Sequence, residues 1–179
     1  MTPFTAGLTL LLSLPGVVDQ STSAEIRKTV IVDASPRQVW DAWTTVDGVK
    51  TFFAPGAVID LRVGGEYSIL FRPEKPPGER GADGMRILEI DPFERIAVEW
   101  NAPPAYPEVR AARTRLTVTI EPAGDGRTRV GIVHDRWQEG EQWRQAHDYF
   151  VSAWDVVLGR LQIRFAEGPI DWSNPPGRG

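Results

Sequence analysis

The last third of the chain carries one stripe at helical spacing: Trp143, His147, Phe150, Trp154, Val157, Leu158, Leu161 and Phe165 share a face of a helix predicted over Glu141 to Glu167. Upstream the period shortens to two, and strands are expected at Glu25 to Asp33, Ala57 to Leu61, Glu66 to Arg72, Met85 to Ile90, Arg95 to Asn101, Thr114 to Glu121 and Arg127 to Arg136. Gly64-Gly65, Asp91-Pro92 and the stretch Ala123-Gly124-Asp125-Gly126 supply turns between them. After the first strand, Ser35 can cap a helix, Pro36 suits its first turn and Gln38 completes a capping box, with Val39, Trp40 and Trp43 on one face. A second short helix is expected over Val46 to Phe53, stopped by Pro55-Gly56. The long helix brings the large aromatics Trp143, Phe150, Trp154 and Phe165 to one face, and only the strands before it can supply a matching apolar surface.

The order β-α-α-β-β-β-β-β-β-α thus describes an α+β fold, an antiparallel sheet of about seven strands curved around a long C-terminal helix. Short links between strands favour antiparallel pairing, because parallel pairing needs long crossovers. Two links are longer and rich in Pro, Pro73 to Asp83 and Ala102 to Ala112. Loops of that length are often functional.

The domain is expected over residues 25–168, with 169–179 as a flexible tail that Trp172 could anchor. Ala6 to Val18 is mostly apolar but too short to span a bilayer, and no Lys or Arg precedes it. Residues 1–24 therefore read either as a signal peptide or as a disordered arm, which leaves a periplasmic or secreted location and a cytoplasmic one equally open.

Composition narrows the chemistry. With 41% hydrophobic and 25% charged residues, the 179-residue chain suits one soluble domain with a sizeable core. A net charge of −4 and the lack of any Lys/Arg block exclude nucleic acid as the main partner. The chain has no cysteine, which rules out disulfides and thiolate chemistry. Asp135, Glu141 and Asp148 match no metal-ligand spacing around the two histidines, so no metal is expected. No Gly-x-Ser-x-Gly elbow and no phosphate-cradling glycine loop occurs, and no cofactor is expected.

Several motifs in order carry a resemblance: Val32-Asp33-Ala34-Ser35-Pro36 through Trp40-Asp41-Ala42-Trp43-Thr44, Leu61-Arg62-Val63-Gly64-Gly65, Ile87-Leu88-Glu89-Ile90-Asp91-Pro92, Thr128-Arg129-Val130 through His134, and Ala153-Trp154-Asp155 through Leu161. Together they resemble the START-like, helix-grip (SRPBCC-type) superfamily, and within it homologues of the activator of the 90-kDa heat-shock protein ATPase. The resemblance spans about Glu25 to Phe165. It implies a hydrophobic cavity between helix and sheet, used across the superfamily for apolar molecules. Some members catalyse cyclisation, dehydration or hydrolysis, and the family name implies a chaperone partner.

Strand alternation points Tyr67, Phe71, Trp100 and His134 inward, and the helix stripe adds Trp143, His147, Phe150 and Trp154. Trp137 sits at the bend before the final helix and, with Tyr106, could gate an entrance. These residues either line a site for a small hydrophobic or aromatic ligand or simply fill the core. His134 and His147 are the candidate acid/base groups, since an unperturbed imidazole titrates near neutrality. Three functions follow: a binding module for a small hydrophobic molecule, a polyketide cyclase/dehydratase-like or hydrolase-like enzyme using His134 or His147, and a chaperone ATPase-activator-like partner.

Overall fold

The computed structural model of the chain describes residues 25–176; residues 1–24, where a signal peptide or arm was expected, and residues 177–179 lie outside the described residues. In chain order the elements are β1 (Ile26–Val32), α1 (Pro36–Thr44), α2 (Val46–Lys50), β2 (Gly56–Ile59), β3 (Tyr67–Leu70), β4 (Gly81–Ala82), β5 (Ile87–Asp91), β6 (Arg95–Trp100), α3 (Pro107–Ala112), β7 (Thr114–Gly124), β8 (Arg127–Asp135) and α4 (Glu141–Glu167). Two of these fall inside the Pro-rich links that the sequence leaves as loops. They are the two-residue strand β4 and the single-turn helix α3, whose Pro107 opens its first turn.

The strands pair antiparallel in a five-stranded sheet of order β1-β8-β7-β6-β5 and a three-stranded one of order β2-β3-β4. A bridge between Glu66 and Arg86 joins them, with the Tyr67 amide donating to the Met85 carbonyl at 2.9 Å. The sheets therefore form one curved surface, and α4 lies in its concavity, tied to β1 by Lys28 at 2.8 Å from Asp155. No helix among the described residues is long and apolar enough to cross a membrane.

Local chemistry sets the corner that closes one end. Ser35 and Gln38 form the capping box, the Ser35 amide donating to Gln38 Oε1 at 2.9 Å. Thr45 ends α1 and caps α2, accepting the Gly48 amide at 3.0 Å. A Cβ on Gly48 would stand 2.1 Å from the Asp41 carbonyl oxygen, so the two helices can turn this tightly only over glycine. The helix α2 ends at Lys50 rather than Phe53, and the turn that follows drives Phe52 and Phe53 into the core. Its free carbonyls are taken by the segment after α4: the Ile170 amide donates to Thr51 O at 2.9 Å and Trp172 Nε1 to Lys50 O at 2.6 Å.

One face of each central strand is buried: Ile96, Val98 and Trp100 on β6, Leu116, Val118 and Ile120 on β7, Val130, Ile132 and His134 on β8. Tyr67 is buried too, its hydroxyl donating to the Trp43 carbonyl at 2.8 Å, which ties the end of α1 to β3.

Candidate ligand cavity

Between α4 and the sheet lies a cavity of about 230 Å³ walled by Phe53, Trp100, Phe150, Trp154 and Val157. Small side chains leave the space: Ala82 and Ala102 on the sheet side, Ala153 on the helix. Its rim is built by the two Pro-rich links, with Phe71, Arg72, Glu79 and Arg80 on one side and Asn101, Pro103 and Pro104 on the other. Outward, Phe71, Tyr149, Ala153 and Val157 continue into a surface groove along α4 that reaches Val156 and Arg160.

The wall rings stack in two pairs, Phe53 on Trp100 at 5.8 Å and Phe150 on Trp154 at 5.9 Å, and the two indoles meet at 5.4 Å. Hydrogen bonds fix the Trp154 ring and connect it to the backbone of Trp100. Trp154 Nε1 donates to His134 Nδ1 at 3.0 Å. An indole N–H cannot accept, so Nδ1 carries no proton and the neutral ring is protonated on Nε2. That N–H faces Thr114 Oγ1 at 2.7 Å, and the threonine hydroxyl donates onward to the Trp100 carbonyl at 3.0 Å. The chain Trp154, His134, Thr114, Trp100 thus links both walls with every polar atom used. Burial, reinforced by the nearby His147, pushes the His134 pKa down to about 3.

The structure sorts the sequence candidates into two groups. Phe71, Trp100, Phe150 and Trp154 line the cavity; Tyr67, His134, Trp137, Trp143 and His147 do not. Phe71 follows the end of β3 and is 41% exposed at the rim rather than inside. His134 faces inward as alternation requires, but it is fully buried and bonded to the indole of Trp154. Trp137 donates to the His134 carbonyl at 2.9 Å and lies against both imidazoles, 4.5 Å from His134 and 5.2 Å from His147. The two histidines therefore converge on an indole, not on the cavity. His147 Nδ1 is 3.6 Å from the Asp148 carboxylate, and its buried Nε2 has no partner among the described residues. Tyr106 meets Tyr149 at 6.1 Å, beside the rim.

Sequence reasoning missed Phe53, Asn101, Tyr149 and Ala153. The signal for Ala153 was available, a small residue beside Phe150 and Trp154 on a stripe of large rings. Asn101 could not be found that way, because its role depends on α3. Oriented with its oxygen toward the guanidinium groups, the Asn101 amide accepts from Arg110 Nη1 at 3.1 Å and Arg113 Nη1 at 3.3 Å. Arg110 also donates to the carbonyls of Ala102 at 2.6 Å and Gly81 at 3.3 Å, and stands 3.4 Å from the Asp83 carboxylate. It so fastens one rim loop to the other. Burial alone would raise the Asp83 pKa, but the Gly78 amide at 2.5 Å, Arg80 and Arg110 together hold this carboxyl below its ordinary value.

Several solved structures share this architecture. The Aha1 dimer of Colwellia psychrerythraea, solved in solution, superposes with a TM-score of 0.62 at 20% identity, covering 81% of this chain and 98% of that one. CalU16 of Micromonospora echinospora gives 0.59 at 20% identity, covering 82% and 76%. An HSP90 activator from Plasmodium falciparum gives 0.57 at 15% identity, covering 81% and 96%. At such identities the likeness speaks for the fold alone. No curated protein matches the chain. Residues 33–166, by contrast, match the family described as Activator of Hsp90 ATPase homolog 1-like protein. Three quarters of the sequence lies within that match, and the chain belongs to this START-like family.

Proposed function

We propose that the protein binds a small apolar or aromatic molecule in the cavity between α4 and the sheet. The observation that carries this reading is the ring wall itself: Trp154, fixed by its hydrogen bond to His134, packs with Phe53, Trp100 and Phe150 along one side of about 230 Å³ of space. An engineered apolar cavity of about 150 Å³ accepts benzene, while drug-sized ligands need at least about 300 Å³. The volume therefore suits a molecule of one or two rings rather than a long lipid. Affinity would come from apolar area and ring stacking.

A chaperone partnership is the second reading, favoured by the family match and by the HSP90 activator among the structural relatives. Stimulation of an Hsp90-type ATPase on mixing would mark it, and an unchanged ATPase rate would remove it. Acid/base catalysis has less support. His134 has both nitrogens committed to protein partners, and neither histidine reaches the cavity.

Two outcomes are expected. In calorimetry or a thermal melt, 2-naphthol at a hundredfold excess over its dissociation constant stabilises the protein by about 2.7 kcal/mol, raising Tm by about 5–10 °C. Ala153→Trp fills the space and abolishes the response while changing stability by no more than about 1–3 kcal/mol; a naphthol response that survives this substitution contradicts the site. The second concerns pH. Because the folded pKa of His134 lies below the unfolded value of about 6.5, its contribution to stability is complete above that pH. It is lost progressively as pH falls toward about 3. The His134 ¹⁵N shifts should report a neutral Nε2–H ring at pH 5, and an imidazolium there would contradict the bonding chain.

A further inference from the structure

The cavity walls are apolar, but the rim is charged, and its charges do not cancel. Arg72, Glu79 and Arg80 all stand on it. Arg80 faces Asp83 at 3.4 Å, and Arg110 reaches the same carboxylate at 3.4 Å. Arg113, behind Asn101, is offset by Glu99 on the adjoining strand. Arg72 differs from these: it donates to the Glu79 carbonyl oxygen at 3.3 Å and, among the described residues, meets no carboxylate. The rim is left positive in a chain whose net charge is −4.

Resting on the cavity reading above, we infer that the ligand is an aromatic molecule of one or two rings bearing a single anionic group, a carboxylate or a comparable oxyanion. Its rings lie against the wall that Phe53, Trp100, Phe150 and Trp154 form together, and its anion stays at the rim on Arg72. The division follows from solvation. A carboxylate carried against the rings would lose its water among apolar faces, whereas at the rim it keeps water and gains a guanidinium fork. Arg72 is exposed, so the gain is screened and modest. Glu79 opposes it from the same rim and disfavours a second negative group. A cationic ligand would meet Arg72 and Arg80 at that rim, with Glu79 offsetting them in part.

Isothermal titration at neutral pH with 2-naphthoate, 2-naphthol and 2-naphthylmethylammonium separates the terms, since the three share one ring system. At low salt, naphthoate is expected to bind about three- to tenfold tighter than naphthol, the ammonium weakest, and the carboxylate advantage to shrink at high salt. Arg72→Gln should erase that advantage, leave naphthol affinity unchanged and, being a surface substitution, leave the melting temperature unchanged. Equal binding of naphthoate and naphthol by the unsubstituted protein, or a preference that survives Arg72→Gln, overturns the anion assignment and leaves the cavity reading standing. Failure of all three probes to bind overturns both.

Discussion

A buried indole N–H is costly without an acceptor, and for Trp154 the acceptor is the unprotonated nitrogen of His134. Much else depends on that bond. It sets the tautomer of the imidazole, which then donates to Thr114 and frees the threonine hydroxyl for the backbone of Trp100. Helix and sheet are so joined by a polar chain running through an otherwise apolar interior. An orphaned group in such a place costs about 1–3 kcal/mol. Collapse of the Trp154 indole into the cavity would orphan its own N–H and the Nδ1 of His134. The Trp154 ring is thus held in the wall, and the space beside it persists because the side chains that border it there, Ala82, Ala102 and Ala153, are too small to fill it.

The rim shows the same logic in the backbone. At Gly81 φ is +148°, and a Cβ would sit 2.5 Å from the Ile69 carbonyl oxygen, so the loop can close onto β3 only with glycine there. From α3, Arg110 takes the carbonyl of that same glycine across the opening and the carbonyl of Ala102 in its own link. One guanidinium thereby holds both Pro-rich links at the width the cavity needs. Asp83 beneath it is buried and satisfied by Gly78, Arg80 and Arg110. The mouth is built as firmly as the walls.

Much of this architecture was legible in the sequence, and the reason is local. Periods of 3.6 and 2 mark α4 and strands β6, β7 and β8 because each buries one face, and the Ser35-Gln38 capping box is written in adjacent residues. What escaped depends on distant segments meeting. The helix α3 hides in a Pro-rich stretch and takes its meaning from carbonyls some thirty residues upstream, such as Gly81. Phe71 continues the alternation of β3, yet the strand has ended before it and the ring turns to the rim. Alternation also places His134 inward correctly but cannot say that an indole stands between it and the open space. A period names a face; it does not say which atoms that face meets.

Xenon under pressure tests the central claim most directly, because a dry apolar cavity takes up xenon and a packed core does not. A crystal of the protein equilibrated with xenon should show the gas bounded by Phe53, Trp100, Phe150 and Trp154, with Trp154 still bonded to His134. No xenon beside these rings, with the space filled by side chains and the Trp154 N–H turned away from His134, would contradict the account.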